Sequence, residues 1–238
     1  MSGYGFIDVG EVNVGKYRIS IVRSESSLTY TRYYEGKPCV SKKIQGKPRI
    51  ELVPLYPVFT PNIITKYVEI EFEANIVIPG YRNIVSFIKM PVDIGVYVYD
   101  EKNNYYLIDV FETNTINYSL YGSIVEGVIA RYYKSPVYND LVKPSFGEAV
   151  SKIRIINKHE KIVEVGRIVL DAQIIKMYYK PGTWEAYTQE IYMNILSRDK
   201  AIITYGKPFV ENIVEINDPE GFKPPKLRSS NEMIWGLK

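Results

Sequence analysis

Asp93, Asp109 and Asp171 are the carboxylates best placed for chemistry. Each stands beside apolar residues of a strand-like run, where burial lifts a carboxyl pKa. Two such acids from distant strands can form an acid–base pair that spacing in the sequence does not reveal, the arrangement needed by a carbohydrate- or nucleotide-directed enzyme. Against this, Asp93 and Asp171 occupy matching places in a weak internal echo, which points to a shared structural role such as hydrogen-bonding a turn backbone. No residue is assigned as catalytic, and the balance leans away from an enzyme.

Tyrosines are the next candidates. Tyr121, Arg131, Tyr132 and Tyr133 gather between Asn117 and Val137, the stretch densest in aromatics, paired glycines and β-branched residues. Rings on an exposed sheet stack on sugars or bases, so these four form a candidate binding surface; packing with the hydroxyl reaching water is the bland alternative. Cations are concentrated elsewhere. Between Lys16 and Arg49 nine basic residues are opposed only by Glu25 and Glu35, although the whole chain of 238 residues carries a formal charge of only +3. Lys42, Lys43, Lys47 and Arg49 at the end of that segment are the candidate anion-binding group, for nucleic acid or another acidic surface. Lysines that guard turns and strand edges against unwanted pairing would give the same pattern.

Several familiar motifs fail on inspection. Gly10 to Lys16 has P-loop spacing, but Tyr17 follows where a magnesium-ligating hydroxyl is required, and the alternation from Val14 to Val22 reads as strand. His159-Glu160 lacks the second histidine of a zincin helix and falls in a turn. With one histidine and one cysteine, neither a cysteine cluster nor a histidine-rich centre can be built, so no metal and no cofactor is expected. Cys39 has no plausible base and reads as a small buried apolar residue.

The elements that must position these residues are strands. Period-2 alternation, evenly spaced Gly-Lys-Pro turns and the lack of any sustained 3.6-residue apolar period give an all-β chain. An N-terminal β meander ends in the proline-rich stretch Pro54 to Pro61, taken as a linker and boundary. Hairpins are expected at 96–111, 153–165 and 187–205. The segment 129–142 echoes 201–214, with Pro136 matching Pro208. That echo divides the rest into tandem antiparallel β-sandwich units, 62–145 and 146–216. An extended tail, 217–238, closes with Met233, Ile234, Trp235 and Leu237, apolar bulk that calls for a groove on this subunit or another.

Met90-Pro91-Val92-Asp93-Ile94-Gly95-Val96, then Leu120-Tyr121-Gly122, then Gly127-Val128-Ile129-Ala130-Arg131-Tyr132 carry a resemblance. They resemble the archaeal domain-of-unknown-function family 432, over most of the chain after about Pro54. The resemblance implies an archaeal β protein and supplies no catalytic residues. With no secretion signal and no apolar run long enough to span a bilayer, a soluble cytoplasmic protein is expected. Its expected role is binding or scaffolding, with a protein partner or self-association, and nucleic acid is a less favoured partner.

Overall fold

The structure, a computed structural model, describes residues 3–198 and 200–219. Among them are nineteen strands and no helix. The first six are β1 (Gly5–Ile7), β2 (Gly10–Val14), β3 (Tyr17–Arg23), β4 (Ser27–Tyr34), β5 (Lys37–Gln45) and β6 (Arg49–Leu55). Next come β7 (Tyr67–Ile78), β8 (Asn83–Pro91), β9 (Asp93–Tyr99), β10 (Tyr105–Phe111), β11 (Tyr118–Tyr121), β12 (Val128–Ser135) and β13 (Val137–Tyr138). The last six are β14 (Glu148–Asn157), β15 (Val163–Asp171), β16 (Met177–Tyr179), β17 (Ala186–Ser197), β18 (Lys200–Pro208) and β19 (Val214–Glu215). The all-β expectation holds, and among the described residues no helix is long and apolar enough to cross a membrane.

Strands β2 to β5 form the expected meander, each pairing with the next. The alternation read as one strand from Val14 to Val22 is divided between β2 and β3. Gly15 makes the turn with φ of +59°, a conformation open to glycine. Tyr17, Ile19 and Ile21 of β3 and Tyr30 of β4 form the buried face, and Tyr17 meets Phe111 edge to face.

The supposed linker is core. Val53, Leu55, Tyr56, Val58 and Thr60 are buried, and Pro54 lies within β6, opposite Ile94 of β9. A proline is tolerated there because β1, on the other side of β6, is short and its ladder reaches only Leu52.

Beyond the meander the sheets interlock. The order β1-β6-β9-β10 makes one sheet, β11-β12-β7-β15 a second, and β13-β8-β14-β17-β16-β19 a third with β18 added to β17. Strand β7 pairs with β15 and β8 with β14, so the units expected on either side of residue 145 share both sheets instead of following one another. Two ladders, β7 with β12 and β14 with β17, are parallel. The echoed segments also differ in place: β12 is interior to its sheet and β18 lies at an edge. A single hydrophobic cluster runs from Tyr4 and Ile19 through Leu52, Ile70 and Ile94 to Ile155 and Ile191.

The hairpin expected at 153–165 is an arch, with β14 in one sheet and β15 in another. Asn157 fixes the crossing. Its buried amide donates to the carbonyls of Ile78, Pro79 and Lys161 at 3.1, 3.0 and 2.8 Å, joining this arch to the β7–β8 arch beside it. Replacing Asn157 by Ala should lower unfolding free energy by about 2–4 kcal/mol, because three carbonyls lose a donor inside the protein. Urea denaturation measures this, and a loss under about 0.5 kcal/mol would show that the carbonyls find water instead.

Candidate functional site

Four of the basic residues between Lys16 and Arg49 have partners on or beside the β9–β10 hairpin. Lys16 pairs with Glu112 at 3.1 Å, Arg32 with Asp109 at 2.7 Å, Lys42 donates to the Ile108 carbonyl, and Arg49 donates to Asn103 at 2.7 Å. Much of the one-sided charge is therefore a seam that fastens the meander to β10. Within the candidate anion-binding group, Lys42 and Lys43 project from opposite faces of β5, as consecutive strand residues must. Lys43 and Lys47 are exposed, while Arg49 covers the ring of Phe6 with its guanidinium 4.4 Å from the centroid. The four do not converge. Cys39, expected inside, is exposed: it is the extra residue of a β-bulge, opposite neither Arg32 nor Tyr33.

The three aspartates are also dispersed. Across the β9–β10 ladder Ile94 faces Phe111 and Val96 faces Asp109, which puts Asp109 on the even-numbered face of β9 and Asp93 on the other. Asp109 is held by Arg32 and by the Tyr30 hydroxyl at 2.7 Å. Asp171 lies in a different sheet, paired with Lys66 at 2.6 Å and accepting from the Gln173 backbone N–H at 2.9 Å, the turn role foreseen for it. Asp93 is buried against Thr60, whose hydroxyl donates to it at 2.7 Å. Burial pushes its carboxyl up to about 7, although the Thr60 hydrogen bond and the nearby Arg131 charge pull the other way. No two of these acids flank a common cleft.

The tyrosine-rich stretch forms β11, a turn and β12. Arg131 is only 4% exposed, with its Nε donating to the Pro57 carbonyl and its guanidinium 5.2 Å from the centre of the Tyr118 ring. Tyr121 is buried as well, and desolvation followed by the charge of Glu69 raises its hydroxyl pKa. Tyr132 and Tyr133 are half-buried and donate to Glu71 at 3.1 Å and Glu148 at 2.7 Å. The four thus pack inward or bind carboxylates and do not make a stacking platform. Glu69 belongs to this cluster, held by Arg167 at 2.9 Å and by the Ser119 hydroxyl. At 1% exposure Glu69 is fully buried.

What the stretch does expose is its turn. Gly122, with φ of +106°, and Gly127 face each other across the neck; a Cβ on Gly127 would lie 2.4 Å from the Ser123 carbonyl oxygen. Ser123 closes the turn, its carbonyl accepting from Gly127 N–H at 2.7 Å and its hydroxyl from Glu126 N–H at 3.0 Å. Ile124 and Val125 at the tip are 92% exposed each. Leu120 and Ile129, directly opposite each other below the tip, continue the apolar surface. Sequence reading passed over this pair because an apolar dipeptide between glycines looks like any other piece of strand.

The tail begins as a strap. β19 pairs with β16, the Asn217 carbonyl accepts from the Tyr97 hydroxyl at 2.9 Å, and its amide donates to the Tyr99 hydroxyl at 3.0 Å. Met233, Ile234, Trp235 and Leu237 lie outside the described residues. Among the described residues no three His, Cys, Asp or Glu side chains cluster as metal ligands would.

These features define the class as an all-β protein of interlocked sheets carrying an apolar β-hairpin. The family described as protein of unknown function (DUF432) matches residues 3–234, and the chain belongs to it. No curated protein and no solved structure matches the chain.

Proposed function

We propose that this chain is a non-catalytic protein-binding module of the archaeal cytoplasm that holds its partner, or a second copy of itself, through the β11–β12 hairpin. The exposure of Ile124 and Val125 carries the reading. Two adjacent aliphatic side chains left in water at a glycine-necked tip, with Leu120 and Ile129 beneath, make a contiguous apolar patch of the kind that becomes the centre of an interface. Strand β11 adds a backbone edge, since among the described residues it is paired only with β12. The lone Cys39 and its exposure suit a reducing compartment.

The test is a pull-down with the full-length tagged chain beside a variant carrying Ile124→Asp and Val125→Asp, with native mass measured for both. The double variant should lose partner recovery, or a self-associated mass, by at least about 10-fold, with an unchanged circular dichroism spectrum because the tip is outside the core. Equal recovery and equal mass for the two proteins would refute the reading.

A further inference from the structure

A cleft of about 160 Å³ opens between β15 and the β17–β18 hairpin, remote in sequence from the β11–β12 tip. Its wall is built by register. Met193 and Ile195 of β17 stand opposite Ile203 and Ala201 of β18, which sets Met193, Ile195 and Ala201 on one face. On the other side, Val163 and Val165 of β15 face inward opposite Ile78 and Ile76; after the irregularity at Gly166 the inward positions become Ile168 and Leu170. This change of phase turns Arg167 toward the mouth side, with Glu69 as its partner. A Cβ at Gly166 would lie 2.6 Å from Asn75 Oδ1, so a larger residue at the bulge would displace the Asn75 side chain.

Apolar Val165, Met193, Ile195 and Ala201 thus line a cleft whose rim carries Arg167, Arg198 and Lys200. Glu164, the carboxylate of that rim among the described residues, is engaged by the Asn75 amide at 2.6 Å. Arg198 and Lys200 have no ion-pair partner among the described residues. The volume matches that of an apolar cavity that accepts benzene, about 150 Å³. A guanidinium and an ammonium group without an ion-pair partner among the described residues, set over an apolar floor, select an oxyanion attached to a ring-sized body.

The geometry points to a binding site for a small amphipathic anion: an aromatic or branched aliphatic group about the size of benzene, carrying a carboxylate or a phosphate monoester. The apolar body enters between Met193 and Val165, and the oxyanion stays at the rim with Arg198 and Lys200.

Titration of the full chain with benzoate, phenyl phosphate, benzyl alcohol and benzylammonium tests this, followed through the methyl NMR signals of Met193 and Ile195. At least one anion should shift both signals and saturate with Kd of about 1 mM or tighter. Benzyl alcohol should bind at least about 10-fold more weakly, and benzylammonium more weakly still. Tighter binding of benzoate assigns a carboxylate ligand, and tighter binding of phenyl phosphate assigns a phosphate monoester. Combining Arg198→Gln with Lys200→Gln should erase the preference for anions, and Ala201→Phe should abolish binding by filling the cleft. The proposal is overturned if neither anion shifts Met193 or Ile195 at about 10 mM, well above the expected Kd, or if benzyl alcohol binds as well as the anions. The shifts are read on the unaltered protein, so these outcomes stand even where a variant fails to fold.

Discussion

Replacing Arg32 by Met is expected to destabilise the protein by about 3–5 kcal/mol, the usual consequence of stranding one member of a buried ion pair. Arg32 and Asp109 side chains are 12% and 8% exposed, and the guanidinium grips the carboxylate through Nε at 2.7 Å and through Nη2 at 3.3 Å. It also stacks against Tyr17 and Phe111, at 4.9 and 5.0 Å from their centroids, so the same substitution removes packing at the seam. Burial opposes the charge of Arg32, but Asp109 outweighs it and raises the guanidinium pKa further. With Met in place, Asp109 keeps only the Tyr30 hydroxyl as a side-chain donor. A double variant, Arg32→Leu with Asp109→Leu, should recover most of the loss, since it removes both charges together. Urea denaturation of the three proteins decides the matter. A single-variant loss below about 1 kcal/mol would place the ion pair among those that behave as surface pairs.

Stability should also fall as pH rises toward neutrality, with Asp93 as the cause. Its carboxyl is lifted by burial from an ordinary value of 3.8 to about 7, so folding favours the protonated form. The stabilising contribution of that proton is complete below the unfolded value, declines between about pH 4 and 7, and is gone above it. The full swing is on the order of 4 kcal/mol. Asp93→Asn keeps an acceptor for the Thr60 hydroxyl and cannot ionise. It should be close to neutral at pH 4 and stabilising at pH 8, by up to the same order of magnitude. Glu112, Glu148 and Glu185 shift the opposite way, so acid unfolding at lower pH is a separate event. If chemical denaturation at pH 5 and pH 8 shows the same difference between Asp93→Asn and the parent, the buried carboxyl is not the titrating group.

The meander was legible in the sequence because each of its strands pairs with the next, and turn residues such as Gly36 announce the reversals. The β9–β10 hairpin was legible for the same reason, with Asp100 accepting from the backbone N–H groups of Lys102 and Asn104 to close the loop. The interlocking of β7, β8, β14 and β15 was not, since an alternating strand declares which side is wet without naming its neighbour. Pro54 misled because a proline's place depends on how far the adjacent strand extends, and the ladder of β1 on β6 ends at Leu52. Lys42 and Arg32 read as free charge because the Ile108 carbonyl and Asp109 lie more than sixty residues away along the chain. The stretch rich in tyrosine stands out in the sequence by composition alone; in the structure Tyr132 and Tyr133 bind Glu71 and Glu148, Tyr121 is buried, and the solvent face is the aliphatic turn.

The two parallel ladders bear on how the chain is made. In the β7 ladder Val68 waits for Arg131, and in the β14 ladder Ala149 waits for Ala186, so neither sheet can close as its first strand leaves the ribosome. The meander can form early from local contacts, yet β7 and β8 must remain without their full complement of neighbours until β15 and β14 have been synthesised, and β14 in turn waits for β17. During that interval the nascent chain displays unpaired apolar strands, the interval in which aggregation competes with folding and a holdase has most to offer.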